Sequence, residues 1–294
     1  MSSVAAELSQ TSSADREATT TTKGSSDIVF WGSIVWLLVV LAFVVLGEAN
    51  PLVGDPTQRN ADLIDAPPGW PNVFGSTSFG ASVFDQTVVG GRVSIFVAVA
   101  VTVIGIVIGG VLGLLAGYYK GWFDSVIRLI VNTTLSIPAL LLVIFIVTVR
   151  GRNLANVIFA VSLLAIPALA RIVRASTLQV ADRDFVKAAE VLGVKRHKIL
   201  LQEVLPNVMP TMVSFAFLTT GIILVAESSL SFLGLSVPSP TITWGNIIAN
   251  GRDSFRDAPH VVFAPAIVLF LTVLALNFVG DRLLKRYDIR EASL

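Results

Sequence analysis

Between residues 184 and 206 the chain reads DFVKAAEVLGVKRHKILLQEVLP, and within it Phe185, Ala188, Ala189 and Leu192 recur at i, i+3, i+4 and i+7. That spacing sets four apolar groups on one face of a short helix, and the two alanines let another surface come close. Gly193 follows, where a helix stops by entering the left-handed region that a residue without Cβ adopts freely. Lys195, Arg196, His197 and Lys198 open a second short helix running to about Glu203, and Leu205 and Pro206 lead out of it. The chemistry on offer is recognition: an apolar face with flanking cations, held by a tight turn, that a soluble protein can grip. A basic loop serving orientation alone would need neither the apolar face nor the central glycine.

Little else in the chain suits covalent chemistry. Cysteine is absent, which removes disulfides, thiolate metal sites and thiol nucleophiles together. The spans show no paired carboxylates, and the two histidines, His197 and His260, fall on opposite sides of the membrane in the topology below. No Gly-x-x-x-x-Gly-Lys-Ser/Thr stretch is present to cradle ATP phosphates, and no cofactor or metal is expected on this chain. A net charge of +1 gives no case for nucleic acid. These features argue against an enzyme.

The elements that must hold the elbow follow from composition. Hydrophobic residues make up 54% of the 294 and charged residues 14%, with a mean hydropathy of +0.78, values foreign to a soluble domain. A bilayer core of about 30 Å is crossed by roughly 20 apolar residues in a helix. Six stretches without Asp, Glu, Lys or Arg approach or exceed that length: 28–47, 93–119, 129–149, 153–170, 204–226 and 261–280. The fold class expected is all-α, a polytopic protein of six transmembrane helices. A lipid-facing barrel would instead show alternating segments of about ten residues.

The first apolar run begins only after a Ser/Thr-rich tail and outlasts a signal-peptide core, so it reads as a retained helix, with residues 1–27 a disordered tail. Threading six spans with both termini on one side gathers most Lys and Arg there, leaving only Arg59, Arg92, Arg150, Arg152, Arg252 and Arg256 on the other. The termini are therefore expected in the cytoplasm, although Arg150 and Arg152 in one short loop point the other way. Residues 48–92 become an external loop, 93–283 a core of five helices, 227–260 an external segment with a re-entrant or interfacial element, and 284–294 a cytoplasmic tail.

Gly105, Gly109, Gly113 and Gly117 lie four apart and mark one face of the second span for close helix approach, either as a fixed packing seam or as a moving one. In the third span, Asp124 and Arg128 are spaced to pair on one face. Asn132, Ser136 and Pro138 follow, and a proline inside a membrane helix frees a carbonyl that hydroxyls or a water-filled path can satisfy. Asn132, Ser136 and Pro138 thus line either the pathway or a packing contact.

Lys187, Ala188, Ala189, Gly193, Leu205 and Pro206 match the spacing of the Glu-Ala-Ala loop of binding-protein-dependent ABC transporter permeases, which this region resembles. Lys187 stands where the family's Glu falls, and Glu203 where an Ile is usual. Phe74, Gly75, Gly91, Arg92 and Ser94, then Gly117, Tyr118, Gly121, Asp124, Arg128 and Pro138, are similar to the dipeptide, oligopeptide and nickel subfamily, with Asn132 at a position commonly acidic. The run from Glu227 through Ser229, Leu230, Ser231, Phe232, Leu233, Gly234 and Leu235, with Trp244, Gly245 and Asn246, resembles its C-type subunit.

The resemblance implies a type I importer fold and a half-channel in the plasma (inner) membrane. It implies a heterodimer with a second related permease, two cytoplasmic ATPase subunits or domains that carry ATP and Mg, and an extracytoplasmic substrate-binding protein. Residues 185, 187–189, 192, 193, 205 and 206 would then be the ATPase-coupling surface. Peptides are the cargo it implies first, with nickel or another small solute as the alternative. An ion-coupled secondary transporter would instead carry ionisable residues at membrane depth, and here the charges sit at span edges.

Overall fold

The structure, a computed structural model, describes residues 27–47, 53–70 and 72–292, with side chains as far as Arg286. In lipid a segment must satisfy its own backbone, and these apolar runs do so as helices. Among the described residues five helices are long and apolar enough to cross a membrane: α1 (Asp27–Leu46), α2 (Val83–Tyr119), α5 (Leu154–Ala181), α7 (Arg196–Phe232) and α9, which spans as His260–Arg286 and continues to Ala292. Shorter helices α3 (Gly121–Ser136), α4 (Ala139–Arg150), α6 (Asp184–Val191) and α8 (Trp244–Asn250) complete the set. Apart from Asp27, the expected disordered tail lies outside the described residues.

The third expected span is two helices. α3 and α4 meet at an angle of 84° and together make a sixth crossing if counted as one. The cause is Pro138: it offers no N–H, and it drives Ile137 into an extended conformation with φ −79° and ψ 129°. Pro167 and Pro210, by contrast, sit within α5 and α7 without ending them.

Several boundaries move outward from those read in the sequence. α2 starts at Val83, capped by the Ser82 hydroxyl accepting from the Asp85 N–H at 3.3 Å, so Arg92 belongs to a helix and not to the external loop. Its guanidinium donates to the carbonyls of Val44 at 2.8 Å and Val45 at 3.3 Å, satisfying orphan acceptors at the end of α1. α5 continues past residue 170 to Ala181. At its start the Asn153 side chain caps the Asn156 N–H at 2.8 Å, while the Asn156 amide donates to the carbonyls of Arg150 and Gly151 that close α4. The expected tail from residue 284 remains helical to Ala292.

Packing is centred on α2, α5, α7 and α9. One apolar core gathers Val97, Val101, Val157, Ala160, Leu224 and Trp244, and a second lies beneath the elbow. α1 stands at the edge, joined through the Trp36 indole donating to Thr272 Oγ1 at 3.2 Å and an ion pair between Arg282 and Asp27.

Candidate functional site: elbow, seam and groove

α6 has eight residues and is fastened from below by one of them. Val186, 1% exposed, enters the second core with Tyr118, Val173, Val180, Ile199 and Val204, and Ala189 is half-buried against the same cluster. The apolar face read from the sequence is therefore divided. Ala189 packs inward, whereas Phe185 is 38% exposed, Leu192 is 81% exposed, and Ala188 and Lys187 also face solvent. The inward anchor is Val186, three residues before Ala189 on the neighbouring stripe.

Gly193 closes the helix with φ +75°. Its N–H donates to the Glu190 carbonyl at 3.0 Å, and the Val194 N–H to the Ala189 carbonyl at 3.1 Å, the paired bonds of a Schellman turn. A Cβ added at Gly193 would meet nothing within 4 Å, so the demand for glycine is one of backbone conformation, not of space. The second helix of the elbow is no separate element: α7 starts at Arg196 and runs on. At Pro206 one N–H is lost and the carbonyl four residues back is crowded, and the chain widens into a π-turn over Leu200–Val204 just before it. Leu205 is half-buried against the lower core, and Pro206 is exposed.

Beside the elbow, Lys120 donates to Asp182 at 2.8 Å. That hydrogen bond and the ammonium charge hold the Asp182 carboxyl below the usual carboxylate range. Between them and Tyr118, Lys187, Glu190 and Arg196 lies a polar pocket of about 260 Å³.

The glycine seam faces α5 along its whole length. A Cβ at Gly105 would stand 2.7 Å from Leu169 Cδ1, one at Gly113 would stand 2.5 Å from the Ala170 carbonyl oxygen, and one at Gly117 would stand 2.7 Å from Thr177 Cβ; Gly109 abuts the Ile166 carbonyl. A π-turn occupies Gly105–Gly109.

On the far side of α5 a cavity of about 750 Å³ opens between α3, α5 and α7, lined by Ser136, Pro138, Ala168, Phe215 and Thr219 with Asn277 of α9. Its walls are apolar, and the Ser136 hydroxyl is turned back onto the Asn132 carbonyl at 2.7 Å. Asn132 lies outside this cavity; its Oδ1 accepts from Arg171 at 3.1 Å. Ser136 and Pro138 thus come together, Asn132 stands one turn away, and the glycines face the opposite side.

Two polar clusters have partners that local spacing does not show. Asp124 does pair with Arg128, at 3.3 Å, but it is held chiefly by a two-pronged ion pair with Arg174, Nη2 reaching Oδ2 at 2.7 Å. Glu227, expected at a span edge, is fully buried within α7 and accepts from Ser231 at 2.7 Å, Ser94 at 3.0 Å and Ser236 at 3.2 Å. The segment expected to be external and re-entrant after it contains α8, whose Trp244 indole donates to the Thr87 carbonyl at 2.8 Å.

The profile of the family described as binding-protein-dependent transport system inner membrane component matches residues 109–291. The chain is 40% identical over 254 residues to the glutathione transport system permease protein GsiD of Shigella flexneri serotype 5b (strain 8401) and to that of Escherichia coli O6:K15:H31, covering 86% of this chain and 84% of each relative. This fits the dipeptide, oligopeptide and nickel subfamily. Among solved structures it resembles the MetNI methionine ABC transporter in inward-facing conformations. The TM-score is 0.59 at 20% identity for the CY5 native crystal form and 0.58 at 21% for the CY5 SeMet soak, each covering 69% of this chain and 96% of that chain. At that identity the likeness is one of fold, the type I importer permease. A multi-pass inner-membrane subunit of this kind is not an enzyme. With the family profile over most of the chain, the 40% relatives and the shared fold in agreement, the chain belongs to the binding-protein-dependent transport system inner membrane components, as a permease subunit of an ABC importer.

Proposed function

We propose that this permease forms half of a translocation pathway for small peptides and is driven by ATPase subunits that grip its elbow. The observation that carries the coupling is the outward face of α6. Phe185, Ala188 and Leu192 are apolar yet exposed, beside Lys187, on a helix fixed from beneath by Val186 and Ala189 and stopped by Gly193. Apolar groups held out on a rigid, short element are what a cleft in a soluble partner would receive. The lower core beneath them joins α6 to α2, α5 and α7, so a force on the elbow reaches three spanning helices through packed side chains.

The companions of this assembly would be a second related permease facing the apolar groove, two cytoplasmic ATPase subunits or domains bearing ATP and Mg, and an extracytoplasmic binding protein that delivers cargo. Ser136 and Pro138 would line the pathway, and both termini would lie in the cytoplasm. Peptide cargo is supported by the 40% identity to glutathione transport permeases over most of both chains.

The test is Gly193→Val in the complete transporter reconstituted in vesicles. A β-branched side chain at φ +75° costs about 1–2 kcal/mol in the turn, enough to shift the elbow without touching a neighbour. The variant is expected to insert and assemble, to hydrolyse ATP, and to lose the link between hydrolysis and uptake. Normal uptake with normal cargo-stimulated hydrolysis would sink the coupling assignment.

A further inference from the structure

Between the apolar groove and the elbow, α3 and α5 enclose a smaller notch of about 180 Å³ lined by Arg128, Asn132, Arg171 and Arg174 with Ile127 and Val131. Both helices place it in the same order. Along α5 the groove takes Val161 to Ile172, the notch Ala170 to Arg174, and the elbow follows Ala181; along α3 the notch takes Ile127 to Asn132, and the groove takes Leu135 and Ser136 and continues onto Pro138 beyond the helix. Along both helices the arginines therefore stand between the groove and the elbow.

The charge there is not balanced. One carboxylate, Asp124, serves both Arg174 and Arg128. Arg171 is exposed, and its hydrogen bond is to Asn132 Oδ1, a neutral acceptor that aims the guanidinium without cancelling it. A carboxylate at residue 132 would have closed the account; an amide leaves a guanidinium fork open over a space that holds a carboxylate and the few atoms beside it. A cation at the edge of an apolar path is costly unless an anion or water answers it.

Given the groove as the path of the cargo, on which this inference rests, we infer that Arg171, aimed by Asn132, is a station for the carboxylate of anionic peptides as they leave the pathway, and that it sets the preference of this half-channel for acidic cargo. The same fork would suit the phosphate of an anionic lipid headgroup, and the experiment separates the two sources.

The complete transporter is reconstituted in phosphatidylcholine vesicles, with and without phosphatidylglycerol, and uptake of glutathione is compared with that of its monoethyl ester. The binding protein is the same throughout, so its own preference cancels in the ratio of variant to wild type. Arg171→Glu is expected to slow glutathione about tenfold more than the ester, Asn132→Asp to do so about threefold, and Arg171→Lys to restore most of the difference. Equal slowing of both peptides overturns the inference while leaving the pathway intact. Slowing that appears only with phosphatidylglycerol, whatever the peptide, makes the notch a lipid site and overturns it too. A wild-type complex that moves neither peptide removes the peptide assignment itself, and the station with it.

Discussion

Glu227 shows how much one side chain can hold without any local mark. Its two oxygens accept from Ser94, Ser231 and Ser236; Ser94 in turn accepts from the Trp244 N–H at 3.2 Å, and Ser231 from the Thr243 hydroxyl at 3.0 Å. The cluster ties α2, α7 and α8 together around a group with no exposed surface. Glu227→Leu would leave three buried hydroxyls without their acceptor and is expected to cost about 2–4 kcal/mol, whereas Glu227→Gln keeps an acceptor oxygen and is expected to cost about 1 kcal/mol. Thermal unfolding of the detergent-solubilised complex checks the order; a Leu variant as stable as wild type would show the network to be idle. Gly193 was legible in the sequence because a positive φ is a local demand that one residue type answers. Glu227 was not, because Ser94 is 133 residues away, and neither was the Asp124–Arg174 pair, 50 residues apart.

Among elements, four glycines at a spacing of four announce a seam but not its partner. The facing helix is α5, and the contact at Gly113 is to backbone atoms, the Ala170 carbonyl and the Arg174 N–H, which no single side-chain rotation can clear. Gly113→Val is therefore expected to push the two helices apart at a cost of about 1–3 kcal/mol or more, lowering the yield of assembled complex. Gly32 in α1 supplies the contrast: nothing lies within 4 Å of a Cβ there, and Gly32→Ala is expected to leave assembly unchanged or gain about 0.5–1 kcal/mol of helix stability. Equal yields for Gly113→Val and wild type, measured by size exclusion of the solubilised complex, would mean that the seam tolerates separation. Element ends were less legible than element faces. Hydropathy stops at the first charge, but α5 and α7 run on through Arg174 and Glu227, which find partners inside the protein, and through Arg171, which stays exposed beside Asn132. Pro138 announced a disturbance but not its size, an 84° break.

For the molecule as a whole, the apolar spans and the family followed directly from the sequence, while the side on which the elbow stands rests on charge bias. Lys120, Lys187, Lys195, Arg196 and Lys198 gather at the elbow end of α2, α5 and α7, whereas Arg150 and Arg152 cluster at the α4–α5 turn on the opposite side. Arg150 is partly occupied in structure: it donates to Asn156 Oδ1 at 3.3 Å and its guanidinium lies 4.8 Å from the Phe159 ring, so its charge is engaged with the protein and weighs less in orientation. The absence of cysteine makes the test clean, since any introduced thiol is the only one in this chain. Lys195 and Gln58 are both exposed, at the elbow and in the segment between α1 and α2. With a membrane-impermeant maleimide, Lys195→Cys is expected to label in inverted vesicles and stay protected in intact cells whose outer barrier is opened, and Gln58→Cys to do the reverse. Labelling of position 195 from outside would turn the molecule over, take the elbow away from any nucleotide-driven partner, and remove the physical basis of the coupling proposed at Gly193.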